Sequence, residues 1–208
     1  MGRNRIGPKS FPKQMRLLDN SVFRQYVIYS TDLAELAQAA APDPRIRWAT
    51  EADKAALTLF GRDCTLVHRA FESGGRIAVL EDAGHIVAAN WYWINPVSVD
   101  VVLTIRYSAD AVMVSNGFVD PAHRGLRYFA ALKAFAAREF LALGYRRMLS
   151  FRRWRNVSAE RAHRHAGARP WFRIVILRGP FRLRAIKQRN TFSIGRWSTT
   201  NRKVIVIP

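Results

Sequence analysis

The sequence predicts an α/β fold: a mixed, mostly antiparallel central sheet flanked by helices in a single domain. Three observations carry this. Residues 76–119 run apolar with β-branched and aromatic content and carry a hairpin signal at Asp82-Ala83-Gly84. Gly125–Leu143 has a helical stripe of Phe129, Leu132, Ala136, Phe140 and Leu143. A further strand, Arg147–Trp154, follows that helix, and a strand–helix–strand unit inside an antiparallel run makes the sheet mixed. The 208 residues have room for one domain with a sizeable core.

Taken in order, residues 1–20 are polar, basic and broken by Pro8 and Pro12, the composition of a loose arm. Phe23–Tyr29 reads as a strand, Ala39–Pro44 as a linker with two prolines, and Arg45–Trp48 as a short strand. Thr50 is placed as a helix N-cap, with Glu51 and Asp53 in the first turn. Gly61 ends or interrupts that helix. Cys64, Val67 and Phe71 mark a second helix, stopped by Gly74-Gly75. Arg76–Leu80, His85–Ile94, Val101–Tyr107 and Ala111–Val119 then form an antiparallel meander. After the long helix and its strand come a short helix over Val157–Ala166, a strand over Trp171–Leu177 and a last strand at Val204–Ile207. In Trp91-Tyr92-Trp93, alternation sends the two tryptophans to one face and the tyrosine to the other. These aromatics fill the core, or one face lines an acyl or acceptor pocket.

The formal charge is +19. Between Arg146 and Arg189 a run of arginines is opposed only by Glu160. Arginine's planar fork suits phosphate and carboxylate partners, while codon usage and a solvated surface give the same excess. Cys64 is the only cysteine, so neither an intramolecular disulfide nor a cysteine-based zinc site is expected. No metal-ligand spacing and no serine-hydrolase elbow is found. The apolar runs are far shorter than a spanning helix needs, and the basic N-terminus has no apolar h-region behind it. A cytoplasmic protein with no metal and no membrane span is expected.

The chemistry gathers at Val119-Asp-Pro-Ala-His-Arg-Gly-Leu-Arg, where a strand ends, Pro121 restrains a turn and a helix begins near Gly125. A helix N-terminus offers unpaired backbone N–H groups, and Arg124 and Arg127 add positive charge. The segment is a phosphate cradle, or an ordinary turn whose arginines face solvent. It resembles the acyl-CoA pyrophosphate loop of the GCN5-related N-acetyltransferases, the GNAT superfamily. The resemblance covers roughly Arg45–Arg178. Asn156-Val157-Ser158, with Gly167 eleven residues after the asparagine, is similar to the family's second signature at the right spacing. Arg127 stands at the loop's second glycine position, Phe129 at its third small position, and Gly167-Ala168 replaces Gly-Phe. These departures bear on which acyl donor binds.

The resemblance implies a GNAT-like acyltransferase domain over residues 45–208, preceded by an arm over 1–44 with room for an extra strand. It implies that Arg124, Gly125, Leu126, Arg127, Tyr128 and Phe129 hold the pyrophosphate of acetyl-CoA or a longer acyl-CoA through their backbone. It also implies that the main chain at Phe118 and Val119 pairs with the pantetheine arm. Asn156 hydrogen-bonds that arm or caps the following helix. His163 stands where many members place the residue that protonates the leaving thiolate, or is a surface histidine on a basic helix. No general base is evident: Ser115 and Asn116 offer only a means to orient water. The expected activity is direct acyl transfer to a small-molecule or peptide amine. An acidic acyl carrier protein is an alternative donor, suited to the Arg-rich half. A reading from another class is a non-catalytic basic module that binds nucleic acid or another polyanion.

Overall fold

A computed structural model describes residues 23–59, 64–94, 96–100, 103–165, 167–178, 183–188, 191–196 and 203–207. The arm at residues 1–20 and the helix stop at Gly61 lie outside them. In chain order the elements are β1 (Phe23–Asp32), α1 (Leu33–Ala37), β2 (Ile46–Trp48), α2 (Lys54–Leu59), α3 (Cys64–Glu72), β3 (Arg76–Asp82), β4 (His85–Trp93) and β5 (Val97–Asp100). There follow β6 (Leu103–Tyr107), β7 (Ala111–Val119), α4 (Tyr128–Ala142), β8 (Arg147–Arg153), α5 (Val157–His165), β9 (Arg169–Arg178), β10 (Leu183–Gln188), β11 (Thr191–Arg196) and β12 (Lys203–Ile207).

Among the described residues the main sheet has nine strands, in the order β11-β10-β9-β1-β8-β7-β4-β3-β2. Every neighbouring pair is antiparallel except β7 and β8. This is the mixed, mostly antiparallel sheet that the sequence predicts. The β3–β4 hairpin turns at Ala83 and Gly84, at φ 48° and 78°, the two positive-φ positions of a type I′ turn. β1 runs three residues past the predicted end. It lies inside the sheet, antiparallel to both β8 and β9. The short helix α1 was not legible in the sequence. It starts because the Asp32 carboxylate accepts hydrogen bonds from the N–H groups of Ala34 and Glu35.

The four-strand meander does not form. β4 pairs directly with β7, while β5 and β6 leave the main sheet and join β12 in a second sheet of three strands. The excursion is still tied to the core: Ile105 is fully buried and the Tyr107 hydroxyl donates to the carbonyl of Trp93 at 2.6 Å.

Two core layers sandwich the sheet. Tyr26, Ile28, Leu57, Val67, Ile77, Val79, Trp91 and Trp93 pack on the face under α2 and α3. Leu33, Leu36, Leu80, Tyr92, Leu132, Ala136 and Phe140 pack on the face under α1 and α4. Trp91 and Trp93 thus share one face and Tyr92 takes the other, as alternation requires. All three are buried.

Candidate active site at the β7–β8 fork

The loop between β7 and α4 is built from short-range constraints. The Asp120 carboxylate accepts from the Ala122 N–H and caps a single 3₁₀ turn, Pro121–His123. His123 Nδ1 lies 3.1 Å from Asp120 Oδ2, and its Nε2 lies 3.7 Å from Asp82. Arg124 is then extended, at φ −71° and ψ 149°. Gly125 and Arg127 both have positive φ, 89° and 59°. That backbone path is why α4 begins at Tyr128 rather than near Gly125. Residues 124–127 are exposed, so the open first turn of α4 faces solvent beside two guanidinium groups. Arg45 stands 5.5 Å over the Tyr128 ring and His123 stacks on it at 6.3 Å, which braces the start of the helix.

Beside this loop the sheet opens. β7 and β8 pair from Ala111↔Arg147 to Val114↔Ser150, and there the ladder ends. β7 continues along β4 to Val119, and β8 continues along β1 to Arg153. The two strands therefore form a fork with its vertex at Val114 and Ser150. A bulge marks the β7 arm: Trp91 pairs with Ser115 and Asn90 with Gly117, leaving Asn116 as the extra residue at φ 49°. Ser115 is engaged by the Trp93 indole, which donates to its Oγ at 2.6 Å.

On the face under α4 and α5, the vertex is lined by polar groups taken out of water. His163 is 5% exposed and Lys133 1%. Lys133 Nζ lies 3.4 Å from His163 Nδ1, and Ser150 Oγ lies 3.2 Å from the same nitrogen. The imidazole stacks on Tyr29 with centroids 4.7 Å apart. Arg152 Nε donates to the Tyr29 hydroxyl at 2.9 Å, and the Arg152 guanidinium pairs with Glu160 at 2.8 Å. Burial, with Lys133 and Arg152 nearby, holds the His163 pKa down at about 3. Burial alone pushes Lys133 down to about 8. The Phe129 ring sits edge-on to His163 at 6.4 Å and 4.8 Å from Lys133 Nζ. It rests on Gly117: a Cβ there would overlap Phe129 Cε2 and stand 2.7 Å from Asn90 Oδ1. Asn90 Oδ1 is itself a buried acceptor with no hydrogen-bond partner among the described residues.

No model of a known protein family matches this chain, and no curated protein does. Solved structures do match. An acetyltransferase of the GNAT family from Colwellia psychrerythraea is 16% identical with a TM-score of 0.56, covering 78% of this chain and 60% of that one. A GCN5-related N-acetyltransferase from Sphaerobacter thermophilus is 18% identical with a TM-score of 0.50, covering 84% and 56%. The fold is that of the GCN5-related N-acetyltransferases. A functionally unknown conserved protein from Staphylococcus epidermidis matches as well, at 8% identity and a TM-score of 0.56, covering 80% and 68%. This chain spans less than two thirds of the length of either acetyltransferase.

Within the GNAT fold, the residues picked out in the sequence fall into two groups. Phe118, Val119, Arg124, Gly125, Leu126, Arg127, Tyr128 and Phe129 are gathered along one arm of the fork and the loop beyond it. His163 reaches the vertex from α5 and is buried, not a surface histidine. Asn156 is exposed at the start of α5, where its Oδ1 accepts from the Ala159 N–H at 3.0 Å, so it caps that helix. Gly167, at φ 69°, donates to the carbonyl of Arg164 and turns the chain out of α5. Sequence reasoning missed Lys133, Ser150, Tyr29, Arg152 and Asn90. One of them carried a signal. Lys133 lies four residues after Phe129, on the same apolar stripe, and a lysine in an apolar stripe marks an ionisable group placed in the interior.

Proposed function

We propose that the chain transfers an acyl group from acyl-CoA to an amine by direct attack on the thioester. The observation that carries this reading is the fork between β7 and β8, opening beside the exposed, basic, positive-φ loop that starts α4. In this reading the donor's phosphates lie on the backbone of residues 124–129, with Arg124 and Arg127 alongside. Its extended arm lies in the fork along Phe118 and Val119. The residues fit such a donor in two respects: the loop presents charge and open helix N–H groups, and Asn90 Oδ1 is an orphaned acceptor suited to an amide N–H of the arm. The Phe129 ring resting on Gly117 must move aside for an arm placed there. His163 is proposed to meet the leaving thiolate, and Asn156 to add a contact while capping α5.

Calorimetry with acetyl-CoA, with a longer acyl-CoA, and with nucleic acid tests the reading. Arg124→Glu should weaken acyl-CoA binding by about tenfold, roughly 1.4 kcal/mol, with unchanged thermal stability, because among the described residues the exposed guanidinium makes only a 3.4 Å hydrogen bond to the carbonyl of Val119. Unchanged affinity in that variant would place the phosphates elsewhere. Salt-sensitive nucleic-acid binding with no acyl-CoA affinity would favour the polyanion-binding module instead.

A second donor is favoured by one observation. Leu126 is 56% exposed between Arg124 and Arg127, and Trp154 and Val157 are exposed on the β8–α5 side. Apolar side chains set among arginines suit the surface of an acidic carrier protein. Faster turnover with an acyl carrier protein than with the matching acyl-CoA would assign that donor.

A further inference from the structure

We infer that Lys133 is a positioning residue for His163: it holds the imidazole in the Nε2–H tautomer at the vertex of the fork and resupplies its proton, so that the pair delivers a proton to the leaving thiolate of an acyl donor. The inference rests on the acyl-transfer reading above, and its test separates the two.

The geometry gives the tautomer first. An ammonium has three donors and no acceptor. With Lys133 Nζ 3.4 Å from His163 Nδ1, that nitrogen must present its lone pair, and the ring proton resides on Nε2. The Ser150 hydroxyl, 3.2 Å from the same nitrogen, is also able to donate to it. Stacking on Tyr29 fixes the plane of the ring. The ring therefore stands between Ser150 at the vertex and Phe129, which lies on Gly117 of the opposite arm.

The cost of the arrangement points the same way. A lysine that is 1% exposed gives up hydration, and among the described residues no carboxylate pairs with it. Glu160, the carboxylate on the facing helix, is taken by Arg152 at 2.8 Å and Arg164 at 2.9 Å. Among the described residues, the polar and ring contacts of Lys133 Nζ are the His163 nitrogen and the Phe129 ring face. A methionine would fill similar volume without burying a charge. Those two contacts offset only part of that burial, whereas a proton source at the fork explains it.

The other groups around the pair leave Lys133 as the proton source. His163, held at about 3, is neutral near pH 7, so it gives up its Nε2 proton only as another reaches Nδ1. Lys133, at about 8, is mostly charged there. Arg152 and Glu160 are paired with each other, Tyr29 accepts from Arg152, and burial raises the Tyr92 hydroxyl well above its ordinary range. In the step, the amine nitrogen bonds to the thioester carbon and the C–S bond breaks. The sulfur takes the Nε2 proton while Nδ1 takes one from Lys133. The proton shed by the attacking amine goes to solvent, and solvent recharges the lysine.

The test uses the full chain as wild type, Lys133→Met and Lys133→Arg. Nitrogen-15 NMR of the histidines should show His163 as the Nε2–H tautomer in wild type and a mixture in Lys133→Met; a wild-type ring protonated on Nδ1 overturns the inference by itself. With acetyl-CoA and spermidine as probes, Lys133→Met should lower kcat by about 100-fold with the donor KM within about twofold. The wild-type fall in kcat above pH 8 should vanish in Lys133→Met, and Lys133→Arg should recover part of the rate. Wild-type kcat with the same alkaline limb in Lys133→Met also overturns it. If wild type neither binds nor turns over acetyl-CoA, the acyl-transfer reading fails separately, and the tautomer alone decides whether the pair exists.

Discussion

Arg127 opens α4 at φ 59° and ψ 18°, exposed and with no side-chain cap hydrogen bond. The left-handed region costs a residue with a Cβ about 1–2 kcal/mol, and glycine gives back about 0.5–1 through its freer unfolded chain. Arg127→Gly should therefore raise stability by up to about 1 kcal/mol in urea unfolding; a loss would mean that the guanidinium braces the loop. At Gly117 the reverse holds, because the backbone is approached so closely that no side chain fits. Gly117→Ala should cost about 1–3 kcal/mol through overlap with Phe129 and Asn90. Adding Phe129→Ala should restore part of that stability, so the double-mutant cycle reads a coupling between the two positions. Additive losses would show that Phe129 does not rest on Gly117.

The helix α5 brings a neutral histidine into the interior, and acid must reverse that. His163 has a folded pKa of about 3 against 6.5 for the free side chain, so the unfolded state binds its proton first as pH falls. Its contribution is fully present above pH 6.5 and is lost as pH falls toward 3. Asp53, held at about 2 by Arg47, loses its contribution only below pH 3.8, so the window between pH 6.5 and 4 reports mainly His163. Denaturant unfolding should show wild type losing on the order of 3 kcal/mol across that window, and His163→Gln should flatten most of the loss. An equal loss in both proteins would place the acid-sensitive group elsewhere. The element α5 was legible in the sequence, where Asn156 offers a cap in front of it. The burial of His163 was not, because it depends on Ser150 and Tyr29 reaching the same place from strands far apart in sequence. The loop shows the same division. Its arginines and turn residues were readable, while the late start of α4 comes from positive φ at Arg127, where side-chain identity predicts a right-handed residue. The departure of β5 and β6 from the meander depends on pairing with β12, about a hundred residues away.

Across the whole chain, 34 lysines and arginines face 15 acidic residues, a balance of 34 − 15 = +19. Among the described residues the ion pairs are mostly at the surface, such as Arg45 with Asp43 and Asp82, and each such surface pair contributes roughly 0–1 kcal/mol. Self-repulsion of the remainder acts over longer distances and opposes the folded state. Raising ionic strength from about 0.01 M to 0.15 M shortens the screening length from roughly 30 Å to roughly 8 Å. That screens the repulsion between distant arginines more than it weakens ion pairs in contact. The midpoint of thermal unfolding should therefore rise with sodium chloride across this range, while the affinity for any anionic donor at the α4 loop should fall. The two slopes are opposite in sign because one reads cations repelling each other and the other reads the attraction of phosphate proposed for Arg124 and Arg127. A melting temperature that falls with salt would mean that the ion pairs, not the excess charge, dominate the electrostatics of the folded chain.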